Sequence, residues 1–264
     1  MELTHFSELT AAMQQDNGCH HITLPADWLQ GRTAYGGLSA ALCLEAIYRS
    51  FDDLPPLRSA QICFVGPATG RLSASAVVLR RGKSTVLVAS DLEGDSGLAV
   101  RATFCFGAGR VSAHDHQSLV MPEVMAPDEC PSYYTWPSRP NFMSHFEGRL
   151  AKGARPGTPA AKPEMTVWLR HHDAGNEASL AHLLALADAL PPAALVLSSE
   201  PTPISTMTWS IDMLTHRPSS PSGWWLLQTR ADTSQHGYSA QETVIWDLEG
   251  TPVLVARQNV AIFG

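Results

Sequence analysis

Asp91-Leu-Glu-Gly94 recurs as Asp247-Leu-Glu-Gly250, and the sequence around both copies keeps the same landmarks in the same order. Upstream of each copy a segment ends in Gly66-Pro67 or Arg217-Pro218, followed by a glycine (Gly70, Gly223), a β-rich run and a second glycine (Gly82, Gly237). Downstream an apolar stretch closes on Phe106-Gly107 or Phe263-Gly264. The offset drifts only from 151 residues (Gly66 to Arg217) to 157 residues (Phe106 to Phe263). A tetrapeptide alone can recur by chance. An ordered series of turns at a nearly constant offset is the mark of a duplicated unit with short insertions.

Each unit reads as one helix followed by four strands. In the first, Gly37 to Ser50 carries Leu38, Ala41, Leu42 and Ile47 at helical spacing. Strands are expected near 57–66, 71–81, 84–93 and 97–106, where Val, Ala, Ser and Thr alternate between turn glycines. In the second, Ala178 to Leu190 is apolar nearly all round and stops at Pro191-Pro192, which predicts a helix buried on every side. Strands are expected near 204–216, 224–234, 238–248 and 252–262. A buried helix wrapped by an antiparallel sheet, occurring twice, is an α+β double hotdog whose two sheets join edge to edge. Residues 108–162, rich in Pro, Gly and His without a clear period, read as a linker plus an early strand or two of the second unit. The expected organisation is therefore 1–107, an irregular 108–162, and 163–264.

Composition bounds the function. The 264 residues are 44% hydrophobic and only 16% charged, which excludes a disordered or coiled-coil chain. A formal charge of −7 argues against nucleic acid or an anionic membrane as the main partner. Five cysteines, without a CxxC pair, fit neither a zinc site nor a disulfide framework and predict reduced thiols in a cytoplasm. The opening Met1-Glu-Leu-Thr-His-Phe predicts no signal peptide, and no apolar run approaches the ~20 residues of a spanning helix. His20-His21, His171-His172 and His114-Asp-His116 lack a third ligand at metal spacing, and no GxSxG, Walker or dinucleotide glycine pattern occurs. Trp136, Trp168, Trp224 and Trp225 read as packing residues.

The landmarks resemble those of the bacterial acyl-CoA thioesterase II family and its thioesterase-like relatives. Gly31-Arg-Thr-Ala-Tyr-Gly-Gly37 enters the first helix and Ala187-Asp-Ala-Leu-Pro-Pro192 ends the second. His216-Arg-Pro218 precedes Gly223-Trp-Trp-Leu-Leu227, and Leu254-Val-Ala-Arg-Gln258 lies in the final strand. The resemblance spans nearly all of the chain outside 108–162. It implies a double hotdog that hydrolyses acyl-CoA to a free acid and CoA without a metal or organic cofactor. It also implies that Asp188, Thr208 and Gln258 hold the attacking water. The Leu38 that follows Gly36-Gly37 departs from the family's Gly-Gly-Gln.

The residues carry part of this chemistry by themselves. Asp188 shares a helix face with Leu184 and Leu180 and sits near a helix C-terminus; burial and the dipole would both raise its pKa, as a general base needs. The same pattern also fits a last turn that simply surfaces. Gln258 stands in the apolar row Leu254, Ala256, Val260, Ile262, so a buried partner for its amide is expected: a bound water, a carboxylate or the backbone. Thr208 shares a face with Thr206, Ser210 and Asp212, opposite Met207, Trp209, Ile211 and Met213. If the Met/Trp face packs on the helix, Thr208 points away from Asp188 unless a bulge intervenes, with Ser210 as its understudy.

The first unit lacks this set, with Arg101 aligned opposite Gln258 and Leu57 opposite Thr208. Its contribution is the helix start at Tyr35-Gly36-Gly37, where the Gly37 amide is expected to receive a thioester carbonyl oxygen and Tyr35 and Gly36 to touch substrate. The glycines equally fit a simple turn into the helix. Two rivals remain: a non-catalytic acyl-CoA or acyl-lipid binding protein, and a hotdog hydratase, for which His171-His172 and Asp173 stand in the wrong order and spacing. The outer sheet face and its edges predict self-association to a homodimer or higher homo-oligomer.

Overall fold

The computed structural model describes residues 3–136, 139–158, 162–173 and 179–264. Along the first half run α1 (Phe6–Ala11), β1 (Gln14–Asp16), β2 (Cys19–Thr23), the two-residue strands β3 (Leu29–Gln30) and β4 (Thr33–Ala34), and α2 (Gly36–Ser50). Then follow β5 (Leu57–Phe64), β6 (Arg71–Ser75), β7 (Val77–Arg81), β8 (Thr85–Gly94) and β9 (Gly97–Gly107). The second half holds β10 (Phe146–Gly153), β11 (Glu164–His171), α3 (Leu180–Ala187), β12 (Ile204–Met213), β13 (Trp225–Gln235), β14 (Tyr238–Trp246) and β15 (Pro252–Ile262).

Thirteen strands form one sheet in the order β1-β2-β6-β8-β9-β5-β12-β15-β14-β13-β11-β10, with β7 branching from β8. Read outward from the middle, β5-β9-β8-β6 and β12-β15-β14-β13 repeat one topology. The seam between the halves is the antiparallel β5–β12 pair, with Cys63 opposite Thr208 and Ala60 opposite Ile211. This is the edge-to-edge double hotdog that the duplication predicts. Both long helices are buried as expected: Leu38 to Leu44 in α2 and Ala181 to Ala187 in α3 are almost without accessible surface. Each fully buried leucine, such as Leu42 or Leu184, contributes about 1.5–3 kcal/mol of hydrophobic stabilisation.

The structure refines the sequence reading in four places. The expected strand 71–81 is two strands: β6 pairs with β2 and β8, whereas β7 pairs with β8 alone. The second helix is shorter than 178–190; Ala178 lies outside the described residues, and α3 stops at Ala187 with Asp188 as its cap (φ −105°, ψ 8°). Pro191 accounts for a stop at Ala187, because in a continued helix it would offer the Ala187 carbonyl no N–H and its ring would clash with it. Before residue 36 the sequence suggests no elements, yet β1 and β2 extend the sheet and α1 packs Phe6 and Leu9 into the core. These pieces are too short to carry a legible period.

The fourth concerns the stretch after β9. Leu119, Met121 and Val124 cover a second apolar cluster formed by Trp168, Trp224, Leu226, Val244 and Trp246 on the other face of the second half-sheet. Trp168 donates its indole N–H to the Met125 carbonyl at 2.9 Å. These tryptophans are packing residues, as expected.

Candidate active site

The two helices pack against each other, and the site lies where the C-terminus of α3 approaches the N-terminus of α2. Asp188 turns its carboxyl toward the first turn of α2. A Cβ on Gly36 would stand 2.7 Å from Asp188 Oδ2, and one on Gly37 would stand 2.7 Å from the Ala185 carbonyl and 2.9 Å from Asp188 Cβ. Only glycine allows this approach. The Gly37 N–H donates to the Asp188 carboxylate.

On its other side Asp188 is held by the sheet. Gln258 Nε2 donates to Asp188 Oδ1 at 2.5 Å, and Gln258 Oε1 accepts from Gln241 Nε2 at 2.5 Å. The partner expected for the Gln258 amide is thus Asp188 itself. Desolvation pushes the Asp188 pKa up to about 7, against the pull of the Gln258 and Gly37 donors, which favour the ionised form. The burial argument for a raised pKa stands. The dipole argument needs correction, because the carboxyl of Asp188, the C-cap residue of α3, also faces the positive end of α2.

The hydroxyl prediction changes more. Trp209, Ile211 and Met213 are buried, so the Met/Trp face does pack inward from Trp209 onward. Thr208, opposite Asn259, is exposed and lies on the face away from Gln258; Ser210, opposite Arg257, shares that outer face. A bulge does intervene, but at Met207, before Thr208 is reached. The register shifts there, so Thr206 pairs with the buried Val260 and falls on the same strand face as Gln258. The structure therefore brings Thr206, not Thr208 or Ser210, to the side of the sheet that carries Gln258. Period-two reading of β12 could not find it, since one extra residue inverts every face beyond it.

Two first-unit positions lie beside the Asp188 carboxyl. Tyr35 is 1% exposed, with its ring 4.1 Å from Phe142 in a near-parallel stack and its hydroxyl donating to the Ala185 carbonyl at 3.0 Å. It is a core strut that ties the start of α2 to α3, not a substrate contact. The Gly37 amide, expected to receive a thioester oxygen, lies against the Asp188 carboxyl. Gly36, the first residue of α2, remains beside the carboxylate, with the Phe64 ring 3.0 Å from where its Cβ would be.

The equivalent place in the first unit carries no such set. Arg101 lies on the outer face and pairs with Asp91 at 2.7 Å, and Leu57 is a core residue. Gln241 escaped the sequence reading, although Ser239, Gln241 and Thr243 form a buried polar row along β14 that could have marked it. Among the described residues no three His, Cys, Asp or Glu side chains are grouped to hold a metal ion, and no helix is long and apolar enough to cross a membrane.

Two helix-in-sheet units joined edge to edge through β5 and β12 define a protein of the double-hotdog class. The chain belongs to the acyl-CoA thioesterase family: residues 24–107 match its N-terminal domain and residues 127–262 its C-terminal domain. Among solved structures it resembles a conserved protein of unknown function with a hot dog fold from Alicyclobacillus acidocaldarius, at 25% identity, TM-score 0.88 and 99% coverage of each chain. A candidate thioesterase II from Thermobifida fusca YX is 17% identical, with TM-score 0.84, covering 100% of this chain and 99% of that one. An acyl-CoA thioesterase II from Mycobacterium marinum is 16% identical, with TM-score 0.72 and 97% coverage of each chain. At 16–17% identity the likeness is one of fold. No curated protein matches the chain.

Proposed function

We propose that this acyl-CoA thioesterase hydrolyses its substrate by general-base activation of water at Asp188. The observation that carries the reading is the carboxyl of Asp188, with a pKa near 7, lying against both Gln258 and the first turn of α2. A group with that pKa is half ionised near neutrality and able to return its proton, which suits a residue that acts first as base and then as acid.

The water takes its place beside the hydrogen-bonded Asp188–Gln258 pair, within reach of both side chains, with the Thr206 hydroxyl as a third contact. Asp188 removes one proton as the water oxygen bonds to the thioester carbonyl carbon. The oxyanion that develops is stabilised by the Gly36 amide, which as the first residue of a helix has no intrahelical acceptor. Collapse of the tetrahedral intermediate breaks the C–S bond, and the proton on Asp188 passes to the departing CoA sulfur. The products are the free acid and CoA. Phe64, beside Gly36, borders the place where the acyl group meets this turn.

The same reading keeps the protein in a reducing cytoplasm, consistent with its five free cysteines, and pairs it with a second copy of itself, which sedimentation at micromolar concentration tests. The mechanism is tested by steady-state hydrolysis of an acyl-CoA series, followed with a thiol reagent. Asp188→Asn keeps the shape but removes the proton acceptor, so turnover should fall by roughly 10²–10⁴ with little change in acyl-CoA binding. Gln258→Ala should cost less, because it orients the water without taking a proton. A well-folded Asp188→Asn protein with parent turnover would refute the mechanism.

A further inference from the structure

Gln241 lies directly across from Gln258 in the β14–β15 pair and is 2% exposed. Its Oε1 accepts from the backbone N–H of Ala193 at 2.9 Å, and its Nε2 donates to Gln258 Oε1 at 2.5 Å. Ala193 has no accessible surface and opens the short 3₁₀ turn Ala193–Leu197, placed there by Pro191-Pro192 at the end of the α3 segment.

The order of donors along this chain follows from one group. A glutamine amide can turn either end toward a neighbour, since one end only accepts and the other only donates. A backbone N–H can only donate. Ala193 therefore fixes the oxygen of Gln241 toward itself and its NH2 toward Gln258. Gln258 must then offer its oxygen to Gln241, which leaves its NH2 facing Asp188. The opposite arrangement would set a carbonyl oxygen against a carboxylate and drive Asp188 to keep its proton.

We propose that Gln241 is a positioning residue of the hydrolysis: it transmits the polarity of the Ala193 N–H to Gln258, so that Gln258 always presents donors to Asp188 and the water. The assignment rests on the Asp188–Gln258 reading above. Gln241 touches neither substrate nor water; it decides which way Gln258 points.

The test is a double-mutant cycle of Gln241→Met and Gln258→Ala, with palmitoyl-CoA hydrolysis measured across pH and folding followed by Tm. Gln241→Met should lower kcat roughly 10- to 100-fold with KM little changed, the cost of a mispositioned group. It should also move the acid limb of the pH–rate profile to higher pH, which a loss of packing alone would not do. The double variant should be no slower than Gln258→Ala alone. If Gln241→Met fails to fold, Gln241→Glu replaces it. On the alkaline plateau its carboxylate still accepts from Ala193 but offers Gln258 only an acceptor, so the same loss is expected. Parent kcat with an unmoved acid limb in the folded variant overturns the proposal, as does a full independent loss in the double variant. If Asp188→Asn is inactive while Gln241→Met is unaffected, only the role of Gln241 fails; if Asp188→Asn is fully active, the site itself is wrong.

Discussion

Gln258 and Asp188 lie 70 positions apart in the chain and share a 2.5 Å hydrogen bond that ties the last strand of the sheet to the end of the second buried helix. The bond has opposite meanings for stability and for chemistry. It lowers the cost of burying a carboxylate, yet burial still prevails, and the Asp188 pKa stands at about 7 against an ordinary 3.8. Carboxyls shifted in this way by desolvation beside a specific partner cluster at functional sites.

That pKa sets a pH dependence for both rate and stability. As a base, Asp188 must be ionised, so kcat/KM should fall as pH drops below about 7. Removing the Gln258 donor favours the protonated acid, so the residual activity of Gln258→Ala should show its acid limb at higher pH than the parent. For stability the sign is the reverse of a salt-bridged carboxylate. The folded protein binds the Asp188 proton more tightly than the unfolded chain, so this stabilisation is full below about 3.8 and is lost as pH rises toward 7. Asp188→Asn has no such loss. The variant should therefore gain stability relative to the parent as pH is raised through that range, by roughly a few kcal/mol, measured by denaturant unfolding at each pH. A difference between the two proteins that stays constant with pH would show that Asp188 titrates normally.

The bulge at Met207 makes a prediction about three hydroxyls. Thr206 shares the face of Gln258, whereas Thr208 and Ser210 lie on the other face. Thr206→Val should lower turnover about tenfold, the worth of one hydrogen bond to a reacting group. Thr208→Ala and Ser210→Ala should hydrolyse acyl-CoA at the parent rate. Activity lost at Thr208 and kept at Thr206 would mean that the strand register differs from the one described.

At the other end of the site, Gly36 and Gly37 respond differently to a methyl group. In Gly37→Ala the new Cβ would meet the Tyr35 ring at 2.6 Å and the Ala185 carbonyl at 2.7 Å, both within packed structure. Overpacking of this kind costs about 1–3 kcal/mol, so a clear loss of Tm together with activity is expected. In Gly36→Ala the methyl would meet Asp188 Oδ2 at 2.7 Å and the edge of Phe64 at 3.0 Å. The carboxyl and the ring can turn aside, so turnover should fall far more than Tm. Equal Tm losses in the two variants would argue that Gly36 serves the fold alone.

Much of this architecture is written locally. The doubled Asp-Leu-Glu-Gly turn, the apolar run of Leu180 to Ala187 and the alternating strands after it depend on neighbours a few residues away, and they lead to two helix-in-sheet units without knowledge of contacts. Asp188 and Gln258 were legible for a related reason: each is a polar residue in an apolar row, and an apolar row implies burial that must be answered by a partner. Which partner answers is not a local property. The approach of Asp188 to Gly36 and Gly37 joins segments about 150 positions apart through the packing of α2 on α3, and it sets the Gly37 amide against a carboxyl that no local pattern places there. Tyr35 became a strut for the same reason, since only packing reveals that its ring is enclosed. The choice of Thr206 over Thr208 turned on one extra residue at Met207, which changes no side-chain chemistry but inverts the faces beyond it. Hydrophobic periodicity reports which face of an element is buried while the element stays regular; the bulge, the helix-to-helix approach and the Gln241–Gln258 relay exist only once distant segments are in contact.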